Sequence, residues 1–167
     1  WSPKNALLDP DDKPANLPGP LRILESFRDN KGNGSLVAQS LGLPDDRFGN
    51  AFELFVAAVV GAYGLPWEWG LKCKGEPGGE EQDVLTCSRQ RLFILDCKQS
   101  EKEESVHLDQ ILKAKEQAVR WAGTDGRAVL IRPNMAFNND LRSIAKRIGL
   151  ILIERENMNS FVPLIEK

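Results

Sequence analysis

The sequence predicts a mixed α/β fold with a sheet of about five strands flanked by helices. The second half of the chain alternates short apolar runs with amphipathic segments, in the order strand, helix, strand, helix, strand. This order is typical of crossover connections between parallel strands. Ahead of it, two apolar runs are joined by the short polar segment 86–91, which favours an antiparallel hairpin. The sheet should therefore combine an antiparallel and a parallel part.

Length, charge and cysteine content restrict the class of protein. A chain of 167 residues suffices for one compact domain, and a net charge of -2 argues against uniform coating of nucleic acid, although a local basic face is allowed. Cys73, Cys87 and Cys97 have no CxxC spacing and there is one histidine, which argues against a zinc site. Scattered thiols of this kind are typical of a cytoplasmic protein. The longest apolar stretch, residues 54–65, is too short to cross a membrane, and we find no signal peptide.

The chain divides at about residue 46. Residues 1–46 are predicted to be an N-terminal arm or linker, because they begin with a stretch rich in Pro, Asp and Asn that has no periodicity. Short helices are predicted within it at 21–27 and 35–41. Residues 47–167 are predicted to form the main domain.

The elements of the main domain follow from the spacing of apolar residues. Residues 48–63 have helical spacing with a wide apolar face and precede a Gly-Leu-Pro stop. Residues 67–74 alternate, which predicts a half-buried strand with Trp67, Trp69 and Leu71 on one face. The hairpin strands follow.

The crossover region begins with a predicted helix that Ser105 caps and that runs to about Trp121. A short apolar strand at 128–131 comes next. Asn138 or Asn139 is predicted to cap the second helix, which leads into an apolar strand at 150–153. These elements supply the parallel part of the sheet.

The second hairpin strand ends in charged residues that a buried strand does not usually carry. Side chains alternate along a strand, so one face of this strand is predicted to carry Leu92, Ile94, Asp96 and Lys98. The opposite face is predicted to carry Phe93, Leu95 and Cys97. Asp83, on the neighbouring strand, can lie across from Asp96. Because an unpaired buried carboxylate is costly, such groups usually form ion pairs or bind metals. The residues alone leave two interpretations open: a structural ion pair of Lys98 with one of the acids, or a metal site.

The order of these residues resembles the PD-(D/E)xK nuclease superfamily. It consists of a helix with Glu53, a strand with Asp83, and Asp96-x-Lys98 at the end of a central strand, followed by a helix and a parallel strand. Gln82 stands where the superfamily usually has proline. The runs Gly49-x-x-x-Glu53, Glu81-x-Asp83-Val84-Leu85 and Asp96-Cys97-Lys98 are also similar to the nuclease half of CRISPR-associated CARF-nuclease effectors.

The resemblance implies a restriction-endonuclease-like sheet and a site for Mg²⁺ or Mn²⁺, ions that prefer oxygen ligands. The implied ligands are the carboxylates of Asp83 and Asp96 and the backbone carbonyl of Cys97, with Glu53 completing the site directly or through water. Lys98 either stabilises developing negative charge or orients and deprotonates the attacking water. Glu81 shares a strand face with Asp83 and would support the ligands.

The implied activity is that of a metal-dependent endonuclease acting on DNA or RNA, as a defence nuclease or as part of a larger effector. Candidate substrate contacts are Lys72, Lys74, Gln110 and Lys113. Expected partners are nucleic acid, a second copy of the chain and an upstream sensor domain absent from this sequence, which begins with Trp1. The alternatives are an inactive nuclease-like module that binds nucleic acid or protein, and an interaction domain whose acids are paired with arginines.

Overall fold

The computed structural model describes residues 18–43, 51–72, 81–98, 104–105, 107–133 and 135–166. The helices in these ranges are α1 (Pro20–Asp29), α2 (Gly34–Leu41), α3 (Ala51–Ala62), α4 (Leu108–Ala122), α5 (Asn139–Ile148) and α6 (Phe161–Ile165). The strands are β1 (Trp67–Lys72), β2 (Glu81–Ser88), β3 (Arg91–Cys97), β4 (Glu104–Ser105), β5 (Arg127–Ile131), β6 (Met135–Ala136) and β7 (Ile151–Ile153). Two 3₁₀ segments, Gly123–Asp125 and Arg155–Ser160, complete the described elements.

The main sheet has five strands in the order β1-β2-β3-β5-β7. The pairs β1–β2 and β2–β3 are antiparallel, whereas the pairs β3–β5 and β5–β7 are parallel. The prediction of a mixed α/β fold is therefore confirmed. It includes the parallel strands that the crossover helices connect. A separate parallel pair, β4 with β6, was not predicted.

Helices cover both faces of the sheet, which gives one apolar core on each face. Successive side chains of the central strand β3 point into the two cores in turn. Phe93, Leu95 and Cys97 pack on the side of α1, α2, α3 and α6, while Ile94 packs on the side of α4 and α5. The predicted period-2 pattern of β3 is thus confirmed. Because Asp96 follows Leu95, the same alternation places it on the α4 side.

Strand β1 departs from the predicted alternation. Trp69 belongs to the α3-side core, but Leu71 belongs to the α4-side core, so the prediction that both lie on one face was wrong. Between them, Gly70 has a φ of 63°. Such a φ is unusual for a strand and is accessible to glycine without steric cost. This local kink reverses the direction of the side chains that follow.

Local chemistry explains how the other elements begin and turn. The β2–β3 hairpin is tighter than predicted, with Arg89 and Gln90 at φ values of 49° and 64°, as a two-residue turn between twisted strands requires. Helix α5 is capped by Asn138, whose Oδ1 accepts a hydrogen bond from the Leu141 N–H at 2.8 Å, as predicted. The Ser105 cap was wrong, because Ser105 is held in β4 by pairing with β6 and α4 begins only after His107.

The short N-terminal helices share the core of the main domain. Ile23 and Phe27 of α1 and Val37 of α2 pack in the same apolar cluster as α3 and β3. The division at residue 46 stays a prediction. Among the described residues, no helix combines the length and the apolar character that crossing a membrane requires.

Candidate functional site

A polar cleft lies at the end of the sheet where β2 begins and β3 ends. Its volume is about 190 Å³. The lining residues come from β2, β3 and α4 and are Glu81, Gln82, Asp83, Leu95, Asp96, Lys113 and Gln117. The β2–β3 register runs as far as the pair Val84 and Leu95, so the two aspartates come immediately beyond the last paired residues. The structure thus brings together both acids that the sequence analysis singled out.

The side chain of Asp83 reaches from β2 to the end of β3. Its Oδ2 accepts a hydrogen bond from the backbone N–H of Cys97 at 2.6 Å. The pKa of Asp83 is raised to about 7, mainly by burial and further by Asp96 and Glu81, while the Cys97 hydrogen bond and the charge of Arg132 lower it. A buried carboxylate among other acids is costly to ionise.

Asp96 forms an ion pair that the sequence analysis did not foresee. Nη2 of Arg132 lies 2.6 Å from Oδ1 of Asp96, and the side chain of Arg132 is only 3% exposed. Nη1 of the same guanidinium donates to the carbonyl oxygens of Asp96, at 2.8 Å, and Ile131, at 3.0 Å. The available signal was an arginine placed directly after a wholly apolar strand, where its side chain is easily buried.

Glu53 approaches the same acids from α3, in the first turn of the helix. Its pKa is raised to about 8, first by burial and then by the charge of Asp83, with smaller contributions from Glu81 and Asp96. Hydrogen bonding to the Trp69 side chain lowers the pKa of Glu53. Oε2 of Glu53 is buried and has no hydrogen-bond partner within the described part of the chain. Glu53 is therefore electrostatically part of the cluster although it does not line the cleft.

Cys97 is the last residue of β3, and Lys98 follows it directly. Burial raises the pKa of the Cys97 thiol well above its usual value, with Asp83 adding to the effect, and a protonated thiol is a poor metal ligand. The backbone carbonyl remains the group through which the sequence analysis expected Cys97 to act. Lys98 is exposed, and its backbone N–H donates to the Ile131 carbonyl at 3.0 Å.

The predicted substrate contacts have different locations. Lys113 is exposed and lines the cleft, whereas Oε1 of Gln110 accepts from the His107 N–H at 3.4 Å, at the start of α4. Lys72 ends β1, where its backbone is in register with Glu81, and Lys74 lies outside the described residues.

Gln117 also lines the cleft but was missed in the sequence analysis. It is buried, and it follows Ala114, a small apolar residue on the inner side of the same helix, by three residues. Residues with that spacing share a helix face. The spacing was therefore a usable signal for Gln117.

The donors of the cluster suit a hard divalent cation, since they are carboxylate and carbonyl oxygens. The raised pKa values of Glu53 and Asp83 mean that their ionised forms are disfavoured without a cation, and a bound cation would stabilise those forms and give the buried, unpartnered Oε2 of Glu53 a partner. Among the residues that the structure describes, however, no three Asp, Glu, His or Cys side chains are arranged to hold a metal ion. The donor atoms are therefore of the kind that binds a hard cation, although Oδ1 of Asp96 already forms an ion pair with Arg132.

The raised pKa values predict how metal-free stability depends on pH. Glu53 has a pKa of about 8 in the folded chain against 4.5, and Asp83 about 7 against 3.8, so the folded state binds more protons over this interval. The protonated carboxyls of Glu53 and Asp83 therefore stabilise the folded state. This contribution is complete below the unfolded-state pKa values and is lost as pH rises through the folded-state values. We expect the melting temperature in EDTA to fall between about pH 5 and about pH 8, within the interval that separates the unfolded-state and folded-state pKa values.

The matched variant for this prediction is Glu53→Gln, which carries no titrating group at that position. It should melt with a weaker dependence on pH than the wild type. A wild-type melting temperature that rises over the same interval would contradict the assigned electrostatics.

Comparison with known proteins gives the fold but no family. No family model and no curated protein matches the chain. Protein VC1899 from Vibrio cholerae is similar in structure, with a TM-score of 0.59 and 13% identity over 88% of this chain and 48% of that one. Can2 from Sulfobacillus thermosulfidooxidans, solved in complex with cyclic tetra-adenylate, has a TM-score of 0.50 and 14% identity over 64% of this chain and 32% of Can2.

A third structure, the protein of unknown function AF1548, has a TM-score of 0.51 and 14% identity over 59% of this chain and 54% of that protein. The chain therefore spans about half or less of the length of these proteins. At such identities the similarity establishes the shared fold, including a relationship to the fold of Can2.

Proposed function

We propose that this chain is a metal-dependent nuclease that hydrolyses phosphodiester bonds in DNA or RNA. The proposal depends on one observation: Glu53, Asp83 and Asp96, from three different elements, influence one another electrostatically at one end of the sheet. A cluster of acids is costly for a fold that gains nothing from it, so perturbed carboxylates in a cleft favour a functional role. Lys98 at the end of β3 adds the cation expected beside such a site.

In this proposal Mg²⁺ or Mn²⁺ is held by Asp83, Asp96 and the Cys97 carbonyl, with Glu53 as a further ligand directly or through water. When bound, such an ion neutralises charge on the phosphoryl group and makes water easier to deprotonate. The ligating carboxyls must be ionised, so the affinity for the metal should increase with pH through the raised pKa values of Asp83 and Glu53.

Lys98 would stabilise the negative charge that develops on the phosphate. Its side chain is exposed, while a neutral lysine acting as a base would depend on burial. Of the two roles left open by the sequence, the structure therefore favours the point cation.

Lys113 and Gln117, which line the cleft from α4, would contact the substrate backbone. An exposed ammonium can bind a phosphate oxygen, and a glutamine amide can donate to one. Lys72 and Lys74 stay candidate contacts, and Glu81, which also lines the cleft, would support the ligands. Because the chain has a net charge of -2, binding should depend on this local surface and weaken steeply with salt.

Incubation of the protein with supercoiled DNA, single-stranded DNA and RNA tests the proposal directly. Each substrate is combined with Mn²⁺, Mg²⁺ or EDTA. We expect cleavage of at least one substrate in a divalent cation and none in EDTA. Lys113→Ala should weaken substrate binding and make it less salt-dependent, since one phosphate contact is lost. Absence of cleavage under all conditions, together with absence of Mn²⁺ binding by calorimetry, would contradict the proposal.

A second candidate function is an interaction domain whose acids are paired with arginines, and the Asp96–Arg132 ion pair favours it. Absence of metal binding by calorimetry would support this alternative over the nuclease. Nucleic-acid binding that chelator leaves unchanged, without any cleavage, would instead support an inactive nuclease-like module.

The proposal extends to regulation. The sequence analysis expected a sensor domain and a place in antiviral defence, and the similar structure Can2 was solved with cyclic tetra-adenylate bound. We therefore propose that a nucleotide-sensing domain controls this site in the full protein. Cleavage by the full-length gene product with and without cyclic tetra-adenylate would show whether that nucleotide activates it.

A further inference from the structure

Arg132 is a buried cation inside the acid cluster, and the proposed hydrolysis gives it no part. With 3% of its side chain exposed, it cannot act by contacting a bulky substrate. It nevertheless touches Asp96 at two points, through the carboxylate Oδ1 at 2.6 Å and the backbone carbonyl at 2.8 Å. Its charge also lowers the pKa of Asp83. One arginine therefore acts on both proposed carboxylate ligands of the strands.

The position of Arg132 does not depend on the carboxylate alone. Nη1 also donates to the Ile131 carbonyl at 3.0 Å, and the backbone N–H of Arg132 donates to the Ile153 carbonyl at 2.9 Å. The guanidinium is thus fixed by backbone atoms of β3 and β5 and is anchored through β7. Its Nε is buried without a hydrogen-bond partner among the described residues, a cost that a purely structural arginine would have reason to avoid.

We propose that Arg132 is a positioning residue and a built-in counter-ion for the metal site. It holds Oδ1 of Asp96, so that Oδ2 is the oxygen presented to a divalent cation, and it compensates the acid cluster when no metal is bound. The inference rests on the proposed function, because it concerns the metal that the nuclease would use. It adds a residue whose fixed charge sets the affinity for that metal.

The consequence is a coupling between Arg132 and the metal. A fixed positive charge next to a ligand opposes a divalent cation, and the same charge stabilises the metal-free fold by offsetting repulsion between the acids. Without this charge, the metal-free protein should become less stable and the metal should bind more tightly. Because a ligand stabilises the folded state more when it binds more tightly, metal should then raise the melting temperature by more than in the wild type.

The test is a set of thermal melts in EDTA and in Mn²⁺, with Mn²⁺ titration calorimetry, on the wild type and on Arg132→Met and Arg132→Lys. For Arg132→Met we expect a lower melting temperature in EDTA, a larger increase on adding Mn²⁺, and a Kd for Mn²⁺ lower by about tenfold. Arg132→Lys keeps the charge, so its increase on adding Mn²⁺ should stay close to that of the wild type.

Arg142→Met is the control, because Arg142 of α5 forms an ion pair of the same 2.6 Å length with Glu154, the residue after β7, away from the cleft. A merely structural arginine would lower the melting temperature equally with and without metal, as expected for Arg142→Met. An equal Mn²⁺ effect in the wild type and in Arg132→Met would therefore overturn the inference. If Arg132→Met is unfolded in EDTA, it should fold when Mn²⁺ is added, and a variant that stays unfolded in saturating Mn²⁺ would also overturn it.

The failure of the proposed function has a different signature. A wild type that shows neither Mn²⁺ binding nor an Mn²⁺-dependent melting temperature would reject the proposed metal site, and with it the role of Arg132. A wild type that binds Mn²⁺ with an affinity unaffected by Arg132→Met would leave the nuclease proposal standing and reject only the counter-ion.

Discussion

Asp83→Asn should reduce metal-dependent cleavage by about a thousandfold or more, because loss of this carboxylate removes a proposed ligand and with it several kcal/mol of transition-state stabilisation. The fold should be retained. The asparagine Oδ1 can still accept the hydrogen bond from the Cys97 N–H, and the substitution removes a carboxyl whose ionisation is opposed by burial and by Asp96. Cleavage assays, Mn²⁺ calorimetry and thermal melts on the same preparation measure the three effects.

The control for this substitution is Asp125→Asn, the same chemical change at an exposed residue in the 3₁₀ segment before β5. That residue precedes β5, whereas the cleft lies at the end where β3 finishes, so cleavage and metal binding should be unaffected. Wild-type Mn²⁺ affinity in Asp83→Asn would reject the assignment of Asp83 as a ligand, even if cleavage were lost.

Lys98→Ala should reduce cleavage by about a hundredfold while the metal stays bound, because its proposed interaction is with charge that forms only in the transition state. Removing a positive charge near the proposed ligands should leave the Mn²⁺ affinity unchanged or increase it. The side chain is exposed, so the substitution should have little effect on the melting temperature. Single-turnover cleavage at saturating Mn²⁺ separates this effect from metal binding.

Lys146→Ala, at an exposed position near the end of α5, provides the same change away from the cleft and should cleave normally. If Lys98→Ala instead unfolds the protein, the structural ion pair considered in the sequence analysis becomes the better interpretation of Lys98. If it loses Mn²⁺ binding, its role lies in assembling the site and not in the transition state.

Asp96 is the residue for which the structure changes the expected outcome most. From the sequence, removing any acid of the cluster should relieve repulsion and leave the fold intact. In the structure, Asp96 is the ionic partner of a buried arginine. Removing one member of a buried ion pair typically costs about 3–5 kcal/mol, because the other charge is left uncompensated. Loss of activity in an Asp96 variant must therefore be interpreted beside its stability, whereas Asp83→Asn does not carry this complication.

Local sequence patterns were enough to predict the main elements, the sheet flanked by helices and the residues at the end of the central strand. Apolar spacing predicted α3, α4 and α5, and the rhythm of the second half predicted the parallel strands β3, β5 and β7. The period of two in β3 placed Asp96 at the correct face. These features are local, since they depend on side-chain direction and capping within a few residues.

The groups that contact those acids could not be predicted from local sequence, because they depend on how distant segments pack. The kink at Gly70 and the pairing of Ser105 in β4 depend on backbone geometry that composition does not encode. The bond between Arg132 and Asp96 joins residues 36 positions apart. It exists because β5 lies beside β3 in a register that pairs Leu130 with Asp96, so that Arg132, two positions beyond Leu130 and directly after β5, comes close to the acid. A contact of this kind is fixed by strand order and register, and neither is set by local sequence.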